Sequence, residues 1–133
     1  MTASPLAKKL GLKPNMRALI VRAPEGYLKL LAPLPDGVTV SAAGNGMYPF
    51  VQLFATRLLD IHRFAPELLQ HADAGALVWI AYPKKTSGAD SDLNRDILRE
   101  AINEMGWHTV SIVAIDDFWS ALRFRPGKDA APR

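Results

Sequence analysis

The chain has 133 residues, of which 49% are hydrophobic, and it contains no cysteine. This is enough apolar material for one domain with a core of its own, and the absence of cysteine excludes a disulfide framework, thiolate catalysis and cysteine-based zinc sites. The formal net charge is +3, with sixteen Lys and Arg interleaved with thirteen acidic residues, so a nucleic-acid partner, which usually binds clustered basic residues, is not expected.

The first forty residues predict two short helices and two strands. Ser4 is placed to cap a helix that ends at Gly11. Residues 17–22 form a short apolar run flanked by charges, which is typical of a strand buried on both faces. A second short helix is predicted over residues 26–32, before a proline-rich turn, and residues 38–40 form the second strand.

The middle of the chain predicts a strand at residues 50–55, a helix, and a strand at residues 76–82. The helix has apolar residues at alternating steps of three and four, which places them on one face: Leu58, Ile61, Ala65, Leu68 and Ala72. Pro66 has no N–H for the carbonyl four residues earlier, so we expect it to kink the helix or to split it in two. Residues 76–82 are the longest apolar run and are far too short to span a bilayer. We therefore expect a cytoplasmic protein without membrane association.

The last third predicts a helix and a hairpin. The helix has a continuous apolar face: Leu93, Ile97, Leu98, Ala101, Ile102 and Met105. Ser91 or Asp92 is expected to cap its start, and Gly106 fits the position just past its end. Residues 107–115 and 119–124 are predicted strands, and the tight turn between them requires an antiparallel pair.

Strands that alternate with helices predict parallel β-α-β units. Together with the final hairpin, they predict a three-layer α/β domain over residues 1–125. Residues 126–133 are too poor in apolar side chains to pack, and we interpret them as a disordered tail.

After the last helix, Gly106-Trp107 leads into the hairpin, whose second strand reads Trp119-Ser120-Ala121-Leu122-Arg123-Phe124. With the order of the earlier elements, this ending resembles a shortened class I methyltransferase fold, which is Rossmann-like. The resemblance implies a mostly parallel six-stranded sheet in the order 2-1-3-4-6-5, with the last strand antiparallel and helices on both faces.

A second resemblance covers residues 5 to 125. It is carried by Leu6-Ala7-Lys8-Lys9-Leu10-Gly11, Ala23-Pro24-Glu25-Gly26-Tyr27, Tyr82-Pro83-Lys84-Lys85 with Ser87-Gly88, Asp92-Leu93-Asn94-Arg95-Asp96, and the final strand. In order and spacing these segments are similar to a bacterial family of small proteins that is described only as a domain of unknown function. That resemblance implies the same fold and no particular activity.

The loop after the fourth strand has the composition of an anion site. Lys84, Lys85, Thr86 and Ser87 supply two ammonium groups and two hydroxyls, and Arg95 follows in the first turn of a helix, whose N-terminus attracts anions. The loop is not a phosphate-binding P-loop, because its lysines precede its glycine. A solvated surface loop has the same composition, so both interpretations stay open.

In a parallel sheet of this kind, the first, third, fourth and fifth strands end on one edge, which brings this loop near Asp116, Asp117, Trp119 and Ser120. Asp116 or Asp117 can act as a general base if repulsion raises one pKa, although Asp-Asp is also a common turn former. Trp119 can stack on a planar ligand or anchor the core. The predicted ligand-binding residues are Lys84, Lys85, Thr86, Ser87, Arg95, Asp116, Trp119 and Ser120.

The positions where a methyltransferase holds its cofactor lack the usual residues. Ala23-Pro24-Glu25-Gly26 replaces a glycine-rich loop after the first strand, and Ser41-Ala42-Ala43 replaces an acid after the second. After the third strand, Ala55-Thr56-Arg57 is not a methyltransferase catalytic motif. The three histidines lie on different elements without metal-ligand spacing. We therefore expect no cofactor and no metal.

A complete scaffold without these parts favours a non-catalytic binding or interaction module, whose degenerate methyltransferase-like cleft holds a small anionic ligand. The alternative is an enzyme, either an S-adenosylmethionine-dependent methyltransferase or one that acts on a phosphorylated small molecule. The sequence identifies no catalytic residue and no protein partner.

Overall fold

One mixed sheet of six strands lies at the centre of the computed structural model, which describes residues 3–127. The strands are β1 (Arg17–Val21), β2 (Thr39–Ser41), β3 (Tyr48–Phe54), β4 (Ala72–Pro83), β5 (Trp107–Ala114) and β6 (Trp119–Pro126). The helices of the described residues are α1 (Pro5–Leu10), α2 (Tyr27–Leu31), α3 (Leu58–Gln70) and α4 (Arg95–Glu104), with a 3-10 turn at Lys85–Ser87. None of these helices is long and apolar enough to cross a membrane.

The strand order is β2-β1-β3-β4-β6-β5, which confirms the order that the methyltransferase resemblance implies. β1 pairs in parallel with β2 and β3, and β3 pairs in parallel with β4. β6 is antiparallel to both of its neighbours, β4 and β5. The carboxyl ends of β1, β3 and β4 therefore lie on one edge of the sheet, and the β5–β6 turn reaches the same edge.

Helices cover both faces of the sheet, which confirms the predicted three layers. Successive strand residues point to opposite faces, so Val51 and Ile80 pack with α3 and α4, whereas Phe50 and Trp79 pack with α1 and α2. Trp79 is 2% exposed, and its Nε1–H donates to the carbonyl of Leu10 at 2.9 Å. This hydrogen bond ties the end of α1 to the middle of the sheet.

The ends of α1 agree with the sequence prediction. The Ser4 hydroxyl oxygen accepts a hydrogen bond from the backbone N–H of Ala7 at 3.0 Å, and Gly11 follows the helix with a φ of 87°. Gly106 follows α4 in the same left-handed region, with a φ of 93°. Glycine adopts this region without the strain that a Cβ would add.

The predicted cap of α4 is wrong. Asn94 is the N-cap, and its side-chain oxygen accepts a hydrogen bond from a first-turn backbone N–H at 2.9 Å. Ser91 and Asp92 instead bind the turn between β3 and α3. The Ser91 hydroxyl donates to the carbonyl of Thr56 at 2.5 Å, and the Asp92 carboxylate accepts from the N–H of Leu58 at 2.8 Å.

Pro66 does not split the helix in two. α3 runs through the proline without interruption, over thirteen residues. The proline removes one hydrogen bond, but Ile61, Ala65 and Leu68 on the same helix are at most 2% exposed. Burial of this face stabilises the helix across the proline.

All six strands differ from their predicted limits, by one to four residues at an end. β4 begins at Ala72 and includes Gly75, whose φ is 81°, so it starts four residues before the predicted strand. β6 continues to Pro126, and the N–H of Gly127 donates to the carbonyl of Gly106 at 2.8 Å. The rest of the predicted tail, residues 128–133, lies outside the described residues.

Candidate active site

A cavity of about 370 Å³ lies at the carboxyl edge of the sheet, between the end of β4, the start of α4 and the β5–β6 hairpin. Its lining comprises Tyr82, Pro83, Lys84, Lys85, Thr86, Asn94, Arg95, Asp96, Ile112 and Ser120. The structure therefore brings five of the eight predicted ligand-binding residues together: Lys84, Lys85, Thr86, Arg95 and Ser120.

Backbone hydrogen bonds hold the loop that supplies the two lysines. The N–H of Lys84 donates to the carbonyl of Phe118 in the β5–β6 turn at 2.8 Å. The carbonyl of Lys84 accepts from the hydroxyl of Ser87 at 2.7 Å, and that hydroxyl oxygen accepts from the N–H of Ala89 at 3.1 Å. Ser87 thus closes the loop and is absent from the cavity lining.

The other two predicted residues outside the lining, Asp116 and Trp119, have structural contacts of their own. The Asp116 carboxylate accepts hydrogen bonds from the N–H groups of Phe118 and Trp119 at 2.9 and 2.8 Å, which is the arrangement of a turn former. The Trp119 ring packs edge-on against Phe54 with centroids 5.1 Å apart, within the core cluster of α1 and α2.

Tyr82 is a lining residue that the sequence analysis missed. It is 6% exposed, and burial raises the pKa of its hydroxyl, although the positive charge of Arg95 and a hydrogen bond with Ser120 act in the opposite direction. The hydroxyl therefore stays protonated at neutral pH. The signal was the alternation of β4, which places Tyr82 two residues after the buried Ile80, on the same face at the strand end.

Positive charge predominates around the cavity. Lys84, Lys85 and Arg95 face one carboxylate, that of Asp96, among the lining residues. The guanidinium of Arg99 lies 3.1 Å from the Asp96 carboxylate, whereas Nε of Arg95 lies 3.7 Å from it. Arg99 therefore shares the neutralisation of Asp96, and the cavity keeps an excess of positive charge.

The loop after β1, where a methyltransferase would hold its cofactor, bends through two left-handed residues, Arg22 (φ 63°) and Gly26 (φ 84°). The Arg22 guanidinium lies 3.8 Å from the Asp60 carboxylate and 4.6 Å from the centre of the Phe64 ring. A Cβ built on Gly26 would meet no atom within 4 Å. The loop is therefore open at Gly26 and anchored to α3 at Arg22.

Asp60 organises the adjoining turn between β3 and α3. Its carboxylate accepts hydrogen bonds from the backbone N–H groups of Thr56 and Arg57, both at 3.1 Å. Burial raises the pKa of this carboxyl, but these hydrogen bonds and the charge of Arg22 outweigh burial and bring the pKa below its usual range. Asp60 is thus a stable anion beside the loops of β1 and β3.

A second cavity, of about 280 Å³, lies beside β1 on the α3 side. Its lining is largely apolar and comes from β1, the β2–β3 connection and α3: Leu19, Val21, Ala42, Ala43, Gly44, Phe64, Glu67, Leu68 and His71. The connection passes from β2 to β3 without a helix, and its residues 42–44 line the cavity opposite α3.

A buried polar pair lies under α2, on the opposite face. The Tyr27 hydroxyl donates to the side-chain oxygen of Gln52 at 2.9 Å, and the two residues are 3% and 0% exposed. Within residues 3–127, the side-chain nitrogen of Gln52 has no hydrogen-bond partner. The Tyr27 ring also packs edge-on against Phe54, with centroids 4.6 Å apart.

No protein-family model and no curated protein matches this chain. Solved structures do match it. The DhpI–SAH complex has a TM-score of 0.60 and 14% identity, and the match covers 93% of this chain and 84% of DhpI. Ribosomal protein L11 methylase from Lactobacillus delbrueckii subsp. bulgaricus has a TM-score of 0.61 and 10% identity, with 92% and 75% covered. A SAM-dependent methyltransferase from Aquifex aeolicus has a TM-score of 0.54 and 16% identity, with 90% and 86% covered.

These matches overturn the leading hypothesis of the sequence analysis, a non-catalytic binding or interaction module. Two of these proteins are named as methylating enzymes, and the third is a complex with SAH. All three share the fold over at least 90% of this chain. They favour the enzyme that the sequence left as the alternative. At 10–16% identity the likeness shows the fold, and fold alone does not assign an activity.

Proposed function

We propose that this protein is an S-adenosylmethionine-dependent methyltransferase. The observation that carries the proposal is the sheet order β2-β1-β3-β4-β6-β5 with antiparallel β6, together with structural matches to a SAH complex and to methylating enzymes over nine-tenths of the chain. In open α/β sheets, ligands bind at the carboxyl ends of the strands, near the point where strand order reverses. Here that point lies between β1 and β3.

The residues at the end of β1 fit the methionine end of the cofactor in backbone geometry. The left-handed Gly26 leaves open space where a side chain would project, and a residue without a Cβ allows a ligand to approach the backbone closely. Pro24 donates no backbone hydrogen bond, so this loop offers fewer donors than a glycine-rich one. When bound, S-adenosylmethionine supplies an electrophilic methyl group, and this chain's part is to position it.

The ribose end of the cofactor would lie at the end of β2, where Ser41 takes the place of the usual acid. A hydroxyl forms a weaker hydrogen bond than a carboxylate, and the difference is about 1 kcal/mol, or about fivefold in affinity. We therefore expect S-adenosylmethionine to bind more weakly here than at a site with an acid. Ser41→Asp should tighten binding about fivefold, whereas Ser41→Ala should not.

A pair of glycine substitutions tests the placement of the cofactor. Gly26 and Gly75 both have a left-handed φ, and a Cβ on either would meet no atom within 4 Å. Either glycine changed to Ala should lose about 1–2 kcal/mol of stability. Gly75 lies near the opposite end of the sheet, at the start of β4. Gly26→Ala should weaken S-adenosylmethionine binding about tenfold, because its methyl group enters the proposed site, and Gly75→Ala should leave it unchanged.

The measurement is calorimetric titration of the purified chain with S-adenosylmethionine and with S-adenosylhomocysteine. We expect both compounds to bind. Ser41→Asp should bind S-adenosylmethionine most tightly, the wild type less tightly and Gly26→Ala least tightly. The proposal is contradicted if neither compound binds to the wild type at millimolar concentration. Equal effects of Gly26→Ala and Gly75→Ala contradict the placement of the cofactor at β1.

A further inference from the structure

The cavity at the end of β4 has basic side chains that form no ion pair within residues 3–127. Lys84 and Lys85 take part in no ion pair among residues 3–127, although both line a concave site. Lys84 is half-buried, and its backbone N–H is fixed to the β5–β6 turn at 2.8 Å. At least one ammonium group is thus presented from a fixed backbone position and is available to a ligand.

Hydrogen-bond donors converge on the same space. The hydroxyls of Tyr82 and Ser120 belong to neighbouring residues on β4 and β6, which pair directly across the sheet. Arg95 is the first residue of α4 and also lines the cavity. The Tyr82 and Ser120 hydroxyls share one hydrogen bond, so the pair keeps one free O–H. That O–H and the Arg95 guanidinium are suitable donors for the oxygens of a phosphate or carboxylate.

The cavity also has an apolar wall. Ile112 on β5 is 51% exposed and does not pack in the core. It lines the cavity together with Pro83. A volume of about 370 Å³ lies within the range of small-molecule sites. The site therefore matches a ligand that has an anionic group next to an apolar part.

We propose that this cavity, lined by Lys84, Lys85, Arg95, Tyr82 and Ile112, binds a small molecule that carries a phosphate or carboxylate group beside an apolar part. Its further role as the methyl acceptor rests on the proposed function. β4 lies two strand spacings from β1, or about 10 Å, and both strands end on the same edge. An acceptor anchored at β4 can therefore extend toward a methyl donor held at β1.

Three probes test the chemistry of the site: phenyl phosphate, benzoate and benzyl alcohol, each titrated calorimetrically into the full chain. We expect the two anions to bind and the neutral alcohol to bind at least tenfold more weakly. The stronger of the two anions identifies the preferred group. Equal binding of benzyl alcohol and the anions overturns the proposal, because the cavity would then recognise only the ring.

Matched double substitutions test the location. Lys84→Ala with Lys85→Ala should weaken binding of the preferred anion at least tenfold, since each removes a charged contact, and Arg95→Gln should have an effect in the same direction. Lys8→Ala with Lys9→Ala removes an adjacent, exposed lysine pair on α1 and should leave binding within twofold. Equal losses in both double variants overturn the proposal. Thermal melts confirm that each variant is folded.

The same variants separate this proposal from the proposed function. S-adenosylmethionine affinity should stay within twofold in the Lys84/Lys85 double variant, because the cofactor would lie at β1. If the wild type binds phenyl phosphate through these lysines but binds no S-adenosylmethionine, the methyltransferase proposal fails and the anion site stands. If S-adenosylmethionine binds and neither anion does, the anion site fails and the methyltransferase proposal stands.

Discussion

The buried pair of Tyr27 and Gln52 offers a test of how α2 is held on the sheet. The Tyr27 hydroxyl donates to the Gln52 side-chain oxygen at 2.9 Å, with both residues almost fully buried. The Gln52 nitrogen already has no partner within the described part of the chain. Tyr27→Phe therefore leaves the whole Gln52 amide without a side-chain partner in the core.

An unsatisfied buried polar group costs about 1–3 kcal/mol, so we expect Tyr27→Phe to lower the free energy of unfolding by about 2 kcal/mol. For a domain of this size, that is a fall in Tm of about 6–10 °C. Gln52→Leu added to Tyr27→Phe removes the stranded amide, and replacing both partners with apolar groups is nearly neutral. The double variant should therefore be more stable than Tyr27→Phe alone.

The assay is urea denaturation of the wild type, both single variants and the double variant, which together give a coupling free energy. A loss below about 0.5 kcal/mol for Tyr27→Phe would refute the reasoning, as would a double variant whose loss equals the sum of the two single losses.

The same pair makes a prediction at high pH. Burial raises the pKa of the Tyr27 hydroxyl, and the negative charge of Asp116 adds to the increase. The folded state therefore favours the neutral phenol. Its contribution to stability is complete below the unfolded pKa of about 10 and is lost as the pH rises above it. Tyr27→Phe should show a smaller loss of stability above pH 10 than the wild type.

Three further predictions concern other contacts. Trp79→Phe removes the hydrogen bond to the carbonyl of Leu10 at 2.9 Å and should cost about 1–3 kcal/mol in the same urea assay; an unchanged midpoint would contradict this. Gly11→Ala strains a φ of 87° and places a Cβ 2.8 Å from a Leu77 methyl group. The free energy of unfolding should therefore fall by at least about 1 kcal/mol, and the Tm by several degrees; a rise in Tm would contradict this. The lowered pKa of Asp60 contributes stability that is present above about pH 4 and lost as the pH falls below it. Asp60→Asn should therefore lose stability at pH 7 and show a shallower acid transition, and an identical acid transition would refute the assignment.

The strands and helices could be predicted because apolar runs and the final hairpin are local patterns, whereas the sheet order was implied by the methyltransferase resemblance. Even Tyr82 follows from a local rule, since alternation along β4 places it on the face of Ile80. In the loop after β4, composition singled out Lys84 and Lys85, and both line one cavity; their binding of a ligand stays a prediction. Composition could not separate them from Ser87, whose hydroxyl is used to close the loop.

Contacts between distant segments could not be predicted in this way. Asp92 and Ser91 have the residue types of a helix cap, and the sequence assigned them to the helix that follows them. Instead they bind Leu58 and Thr56, which are 34 and 35 residues away. Local pattern contains no information about which of two helix ends a polar side chain will reach. The same limit applies to Pro66, because the burial that stabilises α3 comes from the sheet.

The position of β6 has a consequence for how the protein is made. β6, the last strand of the described residues, lies inside the sheet, between β4 and β5, so β5 has no neighbour to pair with until β6 has left the ribosome. Residues up to about 118 can form only the parallel part of the sheet during synthesis. Pairing of β4 with β6 must wait for residues 119–124, and until then β4 exposes an unpaired edge that favours chaperone binding or aggregation.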